Sequence, residues 1–124
     1  MDIDIHPLDR ANLERGYGIE SQRLLPWDAL NAPFEGAWCI VQPGGESTPH
    51  THHEREIFIA VNGRGTLVSD GVRRPFVAGD IAFLPPGSTH QVVNDELEVF
   101  EYYGIWWDAA MSDAFLTRDR GESR

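Results

Sequence analysis

A single cysteine, Cys39, occurs in the 124 residues. One thiol closes no internal disulfide and builds no thiolate zinc site. Flanked by Trp38, Ile40 and Val41, it reads as a small buried hydrophobe, not as a nucleophile. Positive charge is scarce as well: 10 Lys and Arg stand against 20 Asp and Glu, a net charge of −10. Such a surface repels nucleic acid and anionic membranes, so neither is expected as a partner. No run approaches the ~20 apolar residues of a membrane span. The start, Met1-Asp2-Ile3-Asp4-Ile5, lacks the basic and apolar regions of a signal peptide, and a cytoplasmic location is the expectation. The length and the 41% hydrophobic content predict one domain over residues 1–124, able to bury a core without staples.

What the chain does have is a succession of short β-type runs. From Gly36 onward, β-branched and aromatic residues come in runs of four to eight, broken by Gly, Pro, Asn and Asp. The pattern predicts strands near 37–42, 46–52, 56–61, 65–69, 72–77, 80–84, 89–94 and 97–107. Asp70-Gly71 between two such runs is a two-residue hairpin signal. Many short strands at close spacing, with no βα alternation, predict an all-β sandwich or barrel. Before Gly36, Ile3 and Ile5 alternate with acids as an edge strand would. Asp9–Arg15 reads as a helical turn ended by Gly16 and Gly18. After the long aromatic run Leu97–Trp107, residues 108–116 predict a short helix, and the charged tail from Thr117 is expected to fray.

Histidine is as scarce as basic charge, and its placement is informative. Of five histidines, three fall at 50, 52 and 53, followed by Glu54 and Glu56. Alternation along a strand points His50 and His52 to the same side and turns His53 away. Glu54 and Glu56 share that parity, so period alone leaves the carboxylate open. His90 follows Pro85-Pro86-Gly87, a rigid entry to the next run. The two stretches are expected to meet around a divalent ion. Imidazoles plus one carboxylate suit a transition metal, with positions left for solvent or substrate. His6 reads as a surface residue.

Two spacings then carry a resemblance. Gly44-x5-His50-x-His52-x3-Glu56-x6-Gly63 matches the first cupin motif at every defined position, and Gly79-x5-Pro85-x-Gly87-x2-His90-x3-Asn94 matches the second. The chain resembles a small single-domain metal-binding cupin over residues 44–94, with the strand pattern extending the likeness to about 107. The resemblance implies an all-β, cupin-type jelly-roll β-barrel (double-stranded β-helix) with short N- and C-terminal extensions and a core over about 36–108. It implies a homodimer. It also selects Glu56 over Glu54, so that the implied metal ligands are His50, His52, Glu56 and His90, holding one divalent Fe, Zn, Mn or Ni.

Side chains sharing the ligands' parity should line the pocket. Phe58 and Val92 are expected there, with Trp38 and Phe83 as further aromatic candidates and Arg55 as a candidate clamp for a substrate. Tyr102, Trp106 and Trp107 complete the rings near the site, and Glu56 and Tyr103 are the candidates for moving protons. The resemblance implies a metal-dependent enzyme on a small molecule, either dioxygenase-like or a Lewis-acid isomerase, cyclase or lyase. The alternative is a non-catalytic small-ligand-binding or accessory cupin. One such role is a zinc-bearing partner of a synthetase-like enzyme that joins two nitrogens in natural-product assembly.

Overall fold

A computed structural model describes residues 2–117 of the chain. Nine strands precede one helix: β1 (Glu14–Gly16), β2 (Ile19–Arg23), β3 (Glu35–Val41), β4 (Arg55–Asn62), β5 (Arg64–Ser69), β6 (Val72–Val77), β7 (Ile81–Leu84), β8 (His90–Val93), β9 (Phe100–Trp107) and α1 (Ala109–Thr117). A six-stranded sheet in the order β1-β2-β3-β9-β4-β7 packs on a three-stranded sheet in the order β6-β5-β8. Every named pairing is antiparallel. The arrangement is a jelly roll whose two sheets stay distinct rather than closing into one continuous barrel.

Parity governs the core. Ala37, Cys39 and Val41 of β3, Phe58 and Ala60 of β4, and Phe100 and Tyr102 of β9 point between the sheets. Val92 and Phe76 meet them from the smaller sheet. Phe100 and Val41 are wholly buried; each such side chain contributes about 1.5–3 kcal/mol relative to exposure. Gly65 makes room for Phe100, since a Cβ there would lie 2.8 Å from its ring. Cys39 is buried in this layer, as its apolar neighbours predicted. Burial pushes its thiol from 9.0 up to about 12; the charge of Glu56 adds to the rise, against a hydrogen bond with Tyr102.

The outer face of β3 and β9 is polar where it is most enclosed. Glu101 accepts hydrogen bonds from Trp38 Nε1 (2.8 Å), Arg10 (2.9 Å) and Asn62 (3.4 Å). Burial alone would raise its pKa, but these donors and the Arg10 charge outweigh it and hold the carboxyl below the usual range. The Arg10 contact ties the N-terminal segment to the sheet.

Several predicted elements differ in the structure. Ile3 and Ile5 form no strand and are 89% and 76% exposed. Asp9 makes a single turn, accepting from Ala11 N and Asn12 Nδ2, before the chain straightens into β1. Gly16 and Gly18 flank a hairpin instead of ending a helix: Tyr17 and Gly18 both have positive φ (56° and 80°), the geometry of a two-residue turn matched to strand twist. Asp70-Gly71 makes the same kind of turn, as expected (50° and 83°). The strand predicted over 46–52 is reduced to two bridges, Glu46↔Val93 and His50↔His90. Pro49 lies between them and has no N–H to give a ladder. β9 starts at Phe100 rather than 97 because Asn94 captures the chain ahead of it. The Asn94 amide donates to Val41 O (3.0 Å) and Glu98 O (2.8 Å), and its Oδ1 accepts from Glu96 N (2.9 Å). The predicted helix is α1, with Asp108 accepting from Ala110 N at its start. The tail expected to fray lies, from residue 118, outside the described residues.

Two outcomes test this account. Asn94→Ala leaves three backbone groups unmet around a side chain with no exposure, and should cost about 3 kcal/mol in urea unfolding; a loss under about 0.5 kcal/mol contradicts the clamp. With a folded value near 12 against 9.0, Cys39 favours folding below pH 9 and loses that contribution as pH rises toward 12. At pH 8 its alkylation should therefore be roughly a hundredfold or more slower in the native protein than in urea. Equal rates would place the thiol in contact with solvent.

Candidate metal centre

The ligand-bearing segment is held by its partner strand. Ser47 N donates to Val92 O (2.8 Å), and Ser47 Oγ accepts from Val92 N (2.8 Å). His50 and His90 exchange both backbone hydrogen bonds, at 3.2 and 3.1 Å. That reciprocal pair sets the two imidazoles side by side, with ring centroids 4.5 Å apart. Glu56, inward on β4, comes from the opposite sheet. One donor atom from each of His50, His52, Glu56 and His90 lies within 4.8 Å of the others, so the group could hold a metal ion.

Hydrogen bonding decides what these rings offer. His50 Nδ1 lies 3.1 Å from Thr48 O and His52 Nδ1 lies 3.2 Å from Glu54 O. A carbonyl oxygen only accepts, so both Nδ1 atoms carry the proton and a neutral ring presents its lone pair at Nε2. His52 Nε2 then faces Glu56 Oε1 at 2.9 Å. A lone pair against a carboxylate needs a cation between them, either a proton or a metal. His90 Nε2 stands 3.3 Å from the same oxygen, yet neither ring nitrogen has an aligned hydrogen-bond partner, although both are buried. A buried unpaired polar atom is costly. Metal ligation removes that cost at Nε2, and the donor set of three imidazoles and one carboxylate suits Fe, Zn, Mn or Ni. The residues fit the ion.

Three of the four, His50, His52 and Glu56, edge a cavity of about 460 Å³, and His90 stands buried behind them. Its inner wall is apolar and aromatic: Phe58, Tyr102 and Trp106, with Ala37 and Cys39. Phe58 meets His90 edge-on at 5.8 Å. Tyr102 is fully enclosed, and burial foremost pushes its hydroxyl well above the ordinary value; the nearby Cys39 thiol and Glu56 charge add to this. At neutral pH it is a hydrogen-bond donor and not a base.

Of the candidate substrate contacts, Phe58 lines this cavity and Trp38, Phe83, Val92 and Arg55 do not. Trp38 is an even-numbered residue on β3, where odd positions face in; it packs outside against Tyr103, rings 5.8 Å apart. Phe83 has the opposite parity to buried Leu84 and is 57% exposed. Val92 does point inward, but as filling of the core at 1% exposure. Arg55 alternates with Glu56 and falls outside the cavity wall. Tyr103 likewise faces outward, away from the ligands, and burial raises its pKa, with Glu35 adding. The exposed His53 stands apart from the group, as expected, although the segment 51–54 that carries it is not strand.

Sequence reasoning missed the cavity's other wall. Arg15, Tyr17, Ile19, Ser21 and Arg23, all from the β1–β2 hairpin, line it. The signal was present as the alternation Ile19, Ser21, Arg23 and as Tyr17-Gly18, but it lay under the reading of a helical turn. Tyr17 O accepts from Thr48 N at 2.7 Å, and a Cβ on Gly18 would lie 2.4 Å from Glu46 O. The hairpin tip is thus seated directly on the ligand-bearing segment.

Comparison with known proteins agrees with this geometry. A model of the cupin domain matches residues 37–107. A cupin 2 conserved barrel protein from Salinispora arenicola is 59% identical, with a TM-score of 0.85, over 96% of this chain and 100% of that one. The plu4264 protein of Photorhabdus luminescens is 40% identical, with a TM-score of 0.83, over 95% and 98%. A Thermotoga maritima protein described as a predicted oxalate decarboxylase is 26% identical, with a TM-score of 0.65, over 72% and 79%. With the family model covering more than half of its length and two relatives aligned almost end to end, the chain belongs to the cupin family.

Proposed function

We propose that the chain is a mononuclear metalloenzyme acting on a small organic molecule bound in the cavity beside His50, His52, Glu56 and His90. The observation that carries this reading is the convergence of four donor atoms within 4.8 Å, three of them on the wall of a 460 Å³ cavity and the fourth, His90, buried and unpaired behind them. The size lies within the range of small-molecule sites. A divalent ion held there supplies Lewis acidity and, if it is iron, dioxygen chemistry. The reaction is therefore dioxygenase-like or a Lewis-acid isomerisation, cyclisation or lyase step. The likeness to a protein described as a decarboxylase supports an enzymatic reading.

The chain's own groups have distinct parts. Glu56, 5% exposed, offsets one of the ion's charges, leaving the site about one net positive charge for an anionic or polar oxygen. Its carboxylate is also the candidate for accepting a proton at the reacting end of the cavity. Tyr102 donates a hydrogen bond. Phe58 and Trp106 exclude water from the inner wall.

The half-burial of Trp38, Tyr103, Ile105 and Trp107 in the single chain supports a homodimer that would join through the outer face of β3 and β9. Sedimentation showing only monomer at micromolar concentration removes that element. No helix among the described residues is long and apolar enough to cross a membrane.

For the metal, the protein as purified should contain close to one equivalent of a transition ion by elemental analysis. Stripping it with a chelator should lower Tm by roughly 5–15 °C, because the ion binds only the folded state. His50→Ala and His90→Ala should each lose the ion and lose the chelator response; unchanged metal content and Tm in both variants would falsify the site. Iron-loaded protein that consumes O₂ with a small-molecule substrate favours the oxygenase class. A zinc-only protein with no O₂ uptake eliminates it. Binding without turnover across metals and substrates favours the accessory reading.

A further inference from the structure

We propose that the β1–β2 hairpin selects the ligand, and that Arg23 recognises a carboxylate on a small molecule with an apolar or aromatic body. This deepens the small-molecule reading above and rests on it. Alternation on β2 turns Ile19, Ser21 and Arg23 toward the cavity. Arg23 is therefore a half-exposed cation on the cavity wall in a chain of net charge −10. Its guanidinium lies 5.3 Å from the centroid of the Trp106 ring. Trp106 is the cross-strand partner of Glu56, so the guanidinium stands one side chain away from the ligand group.

Arg23 is positioned and only loosely ion-paired, with its side chain 53% exposed. Its Nη1 is 3.7 Å from Glu35 Oε2, too far for a hydrogen bond. The other oxygen of Glu35 is already committed to Leu25 N (3.0 Å) and Gly36 N (2.8 Å). Among the described residues the Arg23 side chain makes no hydrogen bond, which leaves its planar fork of donors available for a carboxylate. Glu14 and Glu54 also line the cavity. Their charges oppose a dianion such as a phosphate monoester more than a carboxylate bearing one charge.

Tyr17 supplies the second half of the case. It holds a positive φ of 56°, uncommon for a bulky residue, and is 70% exposed beside His50, ring centroids 5.9 Å apart. Backbone strain of this kind, fixed by the Tyr17–Thr48 hydrogen bond, keeps an aromatic ring at the cavity rim. Tyr17, Ile19, Phe58 and Trp106 would enclose the ligand's body while Arg23 pairs with its charge.

The test is calorimetric titration of metal-loaded and chelator-stripped protein with benzoate and cinnamate against their neutral amides, benzamide and cinnamamide. Wild type should bind the carboxylates at least about tenfold more tightly than the amides, the scale of one charge-assisted hydrogen bond. Arg23→Gln should abolish that preference and Arg23→Lys should restore part of it, with metal content and Tm unchanged in both. A preference that survives Arg23→Gln overturns the proposal, as does wild type that binds none of the probes or does not prefer carboxylates. A preference lost on stripping the metal while Arg23 is intact assigns the anion to the ion and also overturns it. Retained preference in protein that never holds a metal sinks the metalloenzyme reading alone.

Discussion

Glu56 is the constraint around which the rest is arranged. A carboxylate at 5% exposure faces imidazole nitrogens at 2.9 and 3.3 Å. Backbone carbonyls hold the protons of His50 and His52 on their far nitrogens, so neutral rings turn lone pairs toward the centre. Such a cluster is stable only with positive charge at that point. The sheets supply the geometry that makes the demand unavoidable: β4 brings Glu56 from one side, while the paired His50 and His90 come from the other. An ion held at that point would couple its binding to folding.

Around that centre, strand alternation divides each element's work. Along β9, Phe100 and Tyr102 fill the core and Trp106 reaches the cavity, while Glu101 and Tyr103 face the other way. One strand thus serves core, ligand cavity and outer surface. The N-terminal hairpin adds a wall that lies outside the matched family region of 37–107. A shared barrel can carry a shared metal site while its added wall sets what the cavity admits.

The fold class was legible in the runs and turns of the sequence, and the four possible ligands in its likeness to the two cupin motifs, which chose Glu56 where period alone left Glu54 open. Period two separates His53 from His50 and His52, and the glycine and proline spacings mark where turns must fall. The pocket contacts were less legible. Val92 has the right parity but lies deep in the core, and parity carries no information about depth. Trp38 and Phe83 were chosen for being aromatic, without a test of parity against their own buried neighbours. The hairpin was missed because Tyr17 adopts a conformation that its residue type disfavours. Only its hydrogen bond to Thr48, thirty-one positions away (48 minus 17), makes that conformation worthwhile.

By itself, then, the amino-acid order determined the succession of strands, the closeness of His50 to His52, and the turn chemistry of Asp70-Gly71. These depend on neighbours within a few residues. Tertiary structure alone decided that Asn94 would delay β9. It also decided that Arg23 would lie at the rim of the cavity, over Trp106. Each of those outcomes depends on partners far along the chain, and local periodicity holds no record of which distant groups will meet.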